Sequence, residues 1–122
     1  MQHIIDWFEI PATDFERAVN FYENVFDTKL RREQIRDMTF GVFPNDARGP
    51  TGAVCMMPKL EPGAHGTLVY LNAGSDVEPL LARVRSNGGK VVLDKTLITD
   101  QIGHIGVFID SEGNRVGVHS GA

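Results

Sequence analysis

Two short stretches, Thr13-Asp14-Phe15-Glu16 and Ser75-Asp76-Val77-Glu78, decide how the rest of the sequence is interpreted. In each, a hydroxyl residue is followed three positions later by glutamate, which is the capping-box pattern of a helix N-terminus. Each stretch also opens a run of apolar residues at helical spacing. The two stretches lie 62 positions apart in a chain of 122 residues. A repeat with this period predicts one fold built from two similar modules.

A second pair of matching stretches, Gly41-Val42-Phe43 and Gly106-Val107-Phe108, recurs at nearly the same spacing. Around the capped runs, short segments rich in β-branched and aromatic residues predict strands. The first predicted helix covers about residues 14–26, and the second runs from Ser75 to the Gly88-Gly89 stop. Each half is therefore predicted to be β-α-β-β-β. The predicted strands are residues 4–10, 29–35, 39–43, 52–57, 66–72, 90–98, 103–109 and 115–119.

The length of 122 residues predicts a single domain. Within it we expect module one at residues 1–57, a linker at 58–65 and module two at 66–122. The formal net charge of −4 argues against a nucleic-acid partner.

The sequence also gives expectations about the compartment. Its one cysteine, Cys55, excludes an intrachain disulfide and fits a reducing environment. The N-terminus lacks the basic and apolar segments of a signal peptide, and no stretch reaches the ~20 apolar residues of a membrane span. We therefore expect a cytoplasmic protein with no membrane partner.

Several motifs resemble one known family. The stretch Phe8-Glu9-Ile10-Pro11-Ala12, with the helix that follows it, resembles the first module of the vicinal oxygen chelate superfamily, which includes glyoxalases, bleomycin-resistance proteins and extradiol dioxygenases. Gly88-Gly89-Lys90-Val91 and the stretch from Asp110 to Ser120 resemble the second module. The resemblance covers essentially the whole chain and implies an α+β fold, in which two βαβββ modules form a cup-shaped mixed sheet. Asp27 departs from the family, which often has glycine after the first helix.

The resemblance also implies a divalent metal in the cup, bound by four side chains, mostly His and Glu. These ligand positions fall here on Trp7, on Ala53 or Cys55, on Thr67 and on Gly117. Such residues do not supply the three or four donors that a metal site needs. We therefore predict no metal ligands and no cofactor, with a divalent metal bound by other residues as the alternative.

The alternation of side chains along strands predicts which residues line the cup. Val69 and Leu71 are expected to share the face of Thr67, and Trp7 is expected either to stack on a flat ligand or to plug the space. The predicted lining is Trp7, Glu9, Ala53, Cys55, Thr67, Val69, Gly117 and His119, of which Trp7, Glu9, Cys55, Thr67, Val69 and His119 are the ligand-binding candidates.

These observations leave three functional hypotheses. The first is a metal-free protein that binds a small organic ligand in the cup. The second is a lyase- or isomerase-type enzyme in which Glu9 and His119 form an acid–base couple, alone or with an atypical metal. The non-catalytic alternative for this pair is that Glu9 forms a structural hydrogen bond and His119 lies at the rim of the cup. The third is an assembly or regulatory module that has no ligand. In each case we expect a homodimer, the commonest oligomer.

Overall fold

Secondary structure follows the predicted order, β-α-β-β-β in each half. The structure is a computed structural model that describes residues 3–46 and 49–121, so the predicted module ends at 1 and 122 lie outside the described residues. The first module contains β1 (Trp7–Pro11), α1 (Phe15–Phe26), β2 (Arg31–Ile35), β3 (Met38–Val42) and β4 (Thr51–Met56). The second contains β5 (Tyr70–Asn72), α2 (Val77–Ser86), β6 (Lys90–Thr99), β7 (Gly103–Ile109) and β8 (Arg115–Ser120).

Each module forms a four-stranded mixed sheet, and the two sheets have the same strand order, β1-β4-β3-β2 and β5-β8-β7-β6. The first strand of each module lies at an edge and runs parallel to its neighbour. Glu9 pairs with Ala53 in the first sheet, and Tyr70 pairs with Gly117 in the second. This register makes Glu9 the counterpart of Tyr70, and Ala53 the counterpart of Gly117. The predicted α+β fold of two repeated modules is confirmed.

Two predicted helix caps are wrong by one residue. Asp14 caps α1, and Asp76 caps α2, rather than the preceding Thr13 and Ser75. Aspartate is as favourable as serine or threonine at this position, so the local pattern alone does not separate the two. The hydroxyl of Thr13 instead donates to Glu112, 3.2 Å away in the second module.

The helix C-termini both use left-handed residues. α1 ends at Phe26, and Asp27 follows it with φ 50° and donates its backbone N–H to the carbonyl of Glu23. After α2, Gly88 has φ 89°, as the Gly88-Gly89 stop predicts. Asp27 therefore holds a conformation that glycine adopts more easily.

Three strands are shorter than predicted, and one of them, β2, begins at Arg31 rather than at residue 29. β1 begins at Trp7, and it includes Pro11, which an edge strand tolerates because one side needs no N–H donor. Ile4 and Ile5 precede the strand and are exposed. β5 contains only the three residues of Tyr70–Asn72 instead of residues 66–72.

One hydrophobic core spans both modules, because both helices and the helix-facing sides of both sheets contribute to it. Phe21 of α1 packs on Phe108 of β7 with ring centroids 5.9 Å apart. Arg83 of α2 donates from Nε to the carbonyl of Val25 at 2.7 Å. Among the described residues, no helix is long and apolar enough to cross a membrane.

The hairpin turn at residues 110–114 joins the second module to the first. The side chain of its Glu112 is fully buried, with 0 % of its surface exposed. One carboxylate oxygen accepts hydrogen bonds from the backbone N–H groups of Thr13 and Asp14, at 3.0 and 2.9 Å. Arg17 binds the same carboxylate, with its Nε 2.7 Å from Oε2. Glu112 therefore holds the N-terminus of α1 against the second module.

The same turn contacts three more parts of the chain. The hydroxyl of Tyr22 in α1 donates to Asp110 at 2.7 Å. The side-chain amide of Asn114 donates to the carbonyl of Pro11 in β1 at 2.7 Å. Its Oδ1 accepts from the backbone N–H of Gly63 in the linker at 3.0 Å. Three side chains of one turn thus fix a helix, a strand and the linker.

Because of these contacts, the stability of the fold should decrease at acidic pH. Burial raises the pKa of Glu112, but hydrogen bonds from Arg17, Asp14, Ser111 and Thr13 outweigh it and lower that pKa to about 2, from an ordinary value of 4.5. A carboxyl group with a lowered folded pKa stabilises the fold above its unfolded pKa and loses that contribution as the pH falls. We expect the free energy of unfolding to decrease between pH 4.5 and about 2.

The substitution Glu112→Gln should lower the free energy of unfolding at pH 7 by ~2–3 kcal/mol, because charged hydrogen bonds to a buried carboxylate are lost. It should also weaken the acid dependence. Urea denaturation of both proteins at pH 7 and pH 3 measures the two effects. The matched control is Glu16→Gln, which breaks an exposed ion pair with Arg32 and should cost under ~1 kcal/mol. Equal losses for the two variants would contradict the role of Glu112.

Candidate functional site

Each sheet has one face that carries no helix, and the two surfaces together are named the helix-free face. On the opposite, helix-facing side, Ile10, Val54 and Val118 are buried in the shared core, and Leu71 packs against it. Because side chains alternate along a strand, neighbouring residues point to the other surface. The helix-free face is therefore formed by Trp7, Glu9, Ala53 and Cys55 of the first sheet and by Tyr70, Asn72, Gly117 and His119 of the second.

Trp7 forms an aromatic wall on this face. Its ring meets Phe40 edge to face, with centroids 6.4 Å apart and an interplanar angle of 73°. The indole Nε1–H donates to Glu9 Oε2 at 3.2 Å. Trp7 is nevertheless 43 % exposed, so part of the ring is open to solvent. The residue is held in one orientation and is accessible to a flat molecule.

Cys55 is buried in a small apolar cluster of the first sheet. It is 0 % exposed and belongs to a small apolar cluster against which Met57 and Leu60 pack. Burial, with a smaller effect from the charge of Glu9, raises the pKa of the Cys55 thiol to about 12. The thiol is therefore protonated at neutral pH, whereas a nucleophile or metal ligand must be a thiolate. Because Cys55 is buried, a ligand contact by this residue stays a prediction that requires neighbouring side chains to move.

The ring of Tyr70 lies directly on the backbone of Gly117. A Cβ atom at Gly117 would be 2.5 Å from Cδ1 of Tyr70, which is far inside van der Waals contact. Gly117 and its counterpart Ala53 are last-strand positions at which the resemblance places metal ligands. In this chain, Ala53 carries only a methyl group, and Gly117 is covered by the ring of Tyr70.

We expected Thr67 to be the residue of the second module that corresponds to Trp7, and this expectation is wrong by one residue. Because Glu9 corresponds to Tyr70, the register makes Leu68 the counterpart of Trp7, rather than Thr67. A shift of one residue moves every side chain of a strand to the other face. Thr67 itself precedes β5 and lies outside the strand.

The same shift corrects the prediction for Leu71. We expected Leu71 and Val69 to share the cup face, but Leu71 points towards the helices and packs against the core. Val69 precedes the strand, and its carbonyl accepts from the backbone N–H of Gly117 at 2.9 Å. The ligand contacts of Thr67 and Val69 stay predictions.

His119 is fixed by a hydrogen bond to the backbone. Its Nε2 lies 2.5 Å from the carbonyl oxygen of Ile102. A carbonyl only accepts, so Nε2 must carry the proton in this contact. Only Nδ1 of His119 is then left to accept a proton from a ligand.

The structure does not join Glu9 and His119 by a hydrogen bond. Within the described residues, Glu9 accepts from Trp7, and His119 donates to Ile102. The two residues also lie on different sheets. Their catalytic roles therefore stay a prediction without a supporting contact.

Two cavities lie between the modules where the edge strands β1 and β5 approach each other. The larger, named cavity one, has a volume of about 750 Å³ and is lined by Phe8 and residues 69–72. The smaller, named cavity two, has about 180 Å³ and is lined by residues 9–11, Thr67 and Val69. Each cavity thus combines residues of β1 with residues of β5 or of the segment that precedes it.

Cavity two brings together three of the predicted ligand residues, Glu9, Thr67 and Val69. It also contains His65 and Arg115. His65 at the end of the linker, and not His119, is thus the histidine that shares a cavity with Glu9.

Tyr70 is the site residue that sequence reasoning did not identify. Its signal in the sequence is Gly117, since a glycine inside a strand often marks the close approach of another group. The pairing partner of that glycine is set by the tertiary fold, so the sequence alone does not name Tyr70.

Comparison with known proteins agrees with this architecture. The profile of the Glyoxalase/Bleomycin resistance protein/Dioxygenase superfamily matches residues 4–118. A glyoxylase-like domain-containing protein from Didymella fabae is 30% identical over 120 residues, covering 90% of this chain and 88% of that protein. A glyoxylase/bleomycin resistance protein/dioxygenase domain from Frankia sp. EAN1pec is similar in structure, with a TM-score of 0.73, 16% identity and complete coverage (100%) of both chains.

A glyoxalase I variant from Zea mays gives a TM-score of 0.69 at 16% identity. It is covered over only 46% of its own length, although 95% of this chain matches. The chain thus spans about half of the maize enzyme. At these identities, the solved structures show the fold.

The contact between Tyr70 and Gly117 can be tested by a double-mutant cycle. Gly117→Ala should lower the free energy of unfolding by ~1–3 kcal/mol, because the added methyl overlaps the Tyr70 ring. In a Tyr70→Ala background the same substitution should cost less, with a coupling of at least ~0.5 kcal/mol. Urea denaturation of the four proteins measures the coupling. Additive effects would show that the ring does not rest on Gly117.

Proposed function

Because the chain belongs to the Glyoxalase/Bleomycin resistance protein/Dioxygenase superfamily, we propose that it binds a small organic molecule on its helix-free face without a metal. The observation that carries this proposal is the loss of donor side chains at the expected ligand positions. An aromatic wall, Trp7 on Phe40, and a second ring, Tyr70 on Gly117, take their place.

The residues at these positions do not fit a divalent metal. Trp7, Ala53 and Gly117 have no side-chain atom that can coordinate one, and the Cys55 thiol is buried and protonated. Within residues 3–46 and 49–121, no group of three or more His, Cys, Asp or Glu side chains is placed to hold a metal ion. A protein site needs at least three such donors, so these residues favour ligand binding without a metal.

The chemistry of the face indicates the kind of ligand. An exposed indole ring favours a flat aromatic group, which can stack on it. The exposed carboxylate of Glu9, 3.2 Å from the indole nitrogen, favours a ligand that donates a hydrogen bond or carries a positive charge. We therefore infer a planar ligand with at least one N–H or O–H donor.

Trp7 provides the test, because it is the only tryptophan in the chain. Titration with planar aromatic amines should change its fluorescence in a saturable way. Ligand at ~100 Kd should also stabilise the fold by ~2.7 kcal/mol in thermal unfolding. Glu9→Gln should weaken binding at least tenfold, whereas Glu33→Gln on the outer strand β2 should change it less than twofold.

Metal dependence is the control for this experiment. Chelator or added Zn²⁺ or Ni²⁺ should leave the Kd unchanged within twofold, because the face has no donor set. A stoichiometric metal in protein purified without chelator, or binding that requires a metal, would overturn the metal-free proposal. The absence of any saturable ligand would overturn the binding proposal itself.

We also propose that the chain forms a homodimer through β6, the outer strand of the second sheet. β6 is ten residues long and exposes the side chains of Val92, Leu93, Leu97 and Ile98. An unpaired edge with exposed apolar residues is a surface on which another strand can pair.

Light scattering should therefore give a mass of twice 13.5 kDa. The double substitution Leu97→Lys and Ile98→Lys should reduce the mass to that of the monomer, since charged residues on an edge strand prevent pairing. The control is Ile35→Lys on the outer strand of the first sheet, which should remain dimeric. A monomeric wild-type protein, or a dimer unaffected by the β6 substitutions, would contradict this interface.

A further inference from the structure

Cavity one shares Tyr70 and Asn72 with the helix-free face, but most of its lining lies outside that face. Three of its lining rings, Phe8, Phe26 and Phe43, pack against the helix-facing core. Phe8 and Phe26 both contact Phe43, with ring centroids 5.8 and 6.2 Å apart. Tyr70 contributes a fourth ring at the boundary between the two surfaces. The cavity is therefore an aromatic space that contains neither Trp7 nor Glu9, the two residues on which the proposed binding at the helix-free face rests.

Because the two modules are repeats, cavity two is the counterpart of cavity one. One difference between their residues explains why cavity one is larger. Since Ala53 corresponds to Gly117, Pro50 at cavity one corresponds to Asn114 at cavity two. Asn114 donates to the carbonyl of Pro11 and accepts from the linker backbone, and cavity two has only about 180 Å³. Pro50 has no side-chain donor or acceptor, so it cannot form this bridge. Cavity one is left with about 750 Å³.

The basic side chain in the described lining of cavity one is that of His3, which is exposed. Among the described residues that form it, none is Asp, Glu, Lys or Arg. Its polar groups include Thr51, whose hydroxyl is already used by the carbonyl of Phe43 at 2.9 Å, and Asn72. Asn72 Oδ1 accepts from the backbone N–H of Gly74 at 2.8 Å, so its Nδ2 is left to donate. An ionised group held among the rings, away from His3, would lose hydration without gaining a partner, which is costly.

We propose that cavity one is a second ligand site, which takes a neutral and mainly apolar aromatic molecule. Its volume lies within the ~300–1,000 Å³ of small-molecule sites, which are typically apolar with a few polar groups. The rings of Phe8, Phe26 and Phe43 offer edge and face contacts to an aromatic ligand. Asn72 supplies one hydrogen-bond donor. This site does not depend on ligand binding at the helix-free face.

Two fluorescent probes that differ in charge test the proposal. N-phenyl-1-naphthylamine is neutral, and 8-anilinonaphthalene-1-sulfonate carries nearly the same rings with a sulfonate. The neutral probe should bind at one molecule per chain and at least tenfold more tightly than the sulfonate. Equal affinity for the two probes would overturn the selection for neutral molecules.

Substitutions of residues that line cavity one show whether the neutral probe binds there. Ile5→Asp adds a charge to a lining residue that is 53 % exposed, and Thr28→Phe fills part of the cavity. Each should weaken binding of the neutral probe at least tenfold. The matched control is Ile35→Asp, at a residue 48 % exposed on β2, at the opposite edge of the sheet, which should change it less than twofold.

Three results would overturn the site. The first is the absence of saturable binding by the neutral probe. The second is binding that Trp7→Ala weakens and Ile5→Asp does not, which would place the probe on the helix-free face. The third is binding that falls as the protein concentration rises, which would mean that a second copy of the chain occupies the cavity. The two proposals can also fail separately. If no ligand changes the fluorescence of Trp7 but Ile5→Asp still weakens binding of the neutral probe, the site in cavity one is supported and binding at the helix-free face is overturned.

Discussion

Burial of one carboxylate, that of Glu112, is the constraint on which the arrangement of the two modules depends. A buried charge costs several kcal/mol unless it is paired and hydrogen-bonded. Its partners are the backbone N–H groups of Thr13 and Asp14 and the guanidinium of Arg17, all at the start of α1. The positive end of the helix macrodipole adds to this attraction. The turn is therefore satisfied only when the first module is docked against the second.

The duplication is preserved in the scaffold and broken between the two cavities. The strand order and both left-handed helix ends recur. Asn114 and its counterpart Pro50 have different effects on the two cavities, because an amide can bridge two backbone groups and a pyrrolidine ring cannot. The same fold thus contains one small polar cavity and one larger apolar cavity. A ligand entering either would meet different chemistry, although the surrounding backbone is similar.

Local pattern was sufficient for the order of the elements, because the apolar spacing of α1 and the Gly88 stop are properties of short segments. It was insufficient wherever a distant partner decided the outcome. The hydroxyl of Thr13 satisfied the capping pattern, but it is used by Glu112, 99 positions away. The face of β5 depended on its pairing with Gly117, and a three-residue strand gives too little alternation to fix that register from the sequence. Cys55 is buried in a cluster against which Met38, Met57 and the linker residue Leu60 pack, and no strand pattern shows these contacts.

The most consequential of these long-range effects concerns the positions that would hold a metal in related proteins. The register makes Ala53 and Gly117 equivalent, so the two last-strand positions lack donor atoms together. Restoring one histidine would not create a site, since at least three donors must converge. At Gly117 a new side chain would also have to displace the Tyr70 ring, whose atoms lie within 2.5–2.9 Å of the Cβ position. The aromatic ring and the glycine beneath it are therefore a coupled feature, which favours stacking of an organic ligand and opposes metal coordination at the same place.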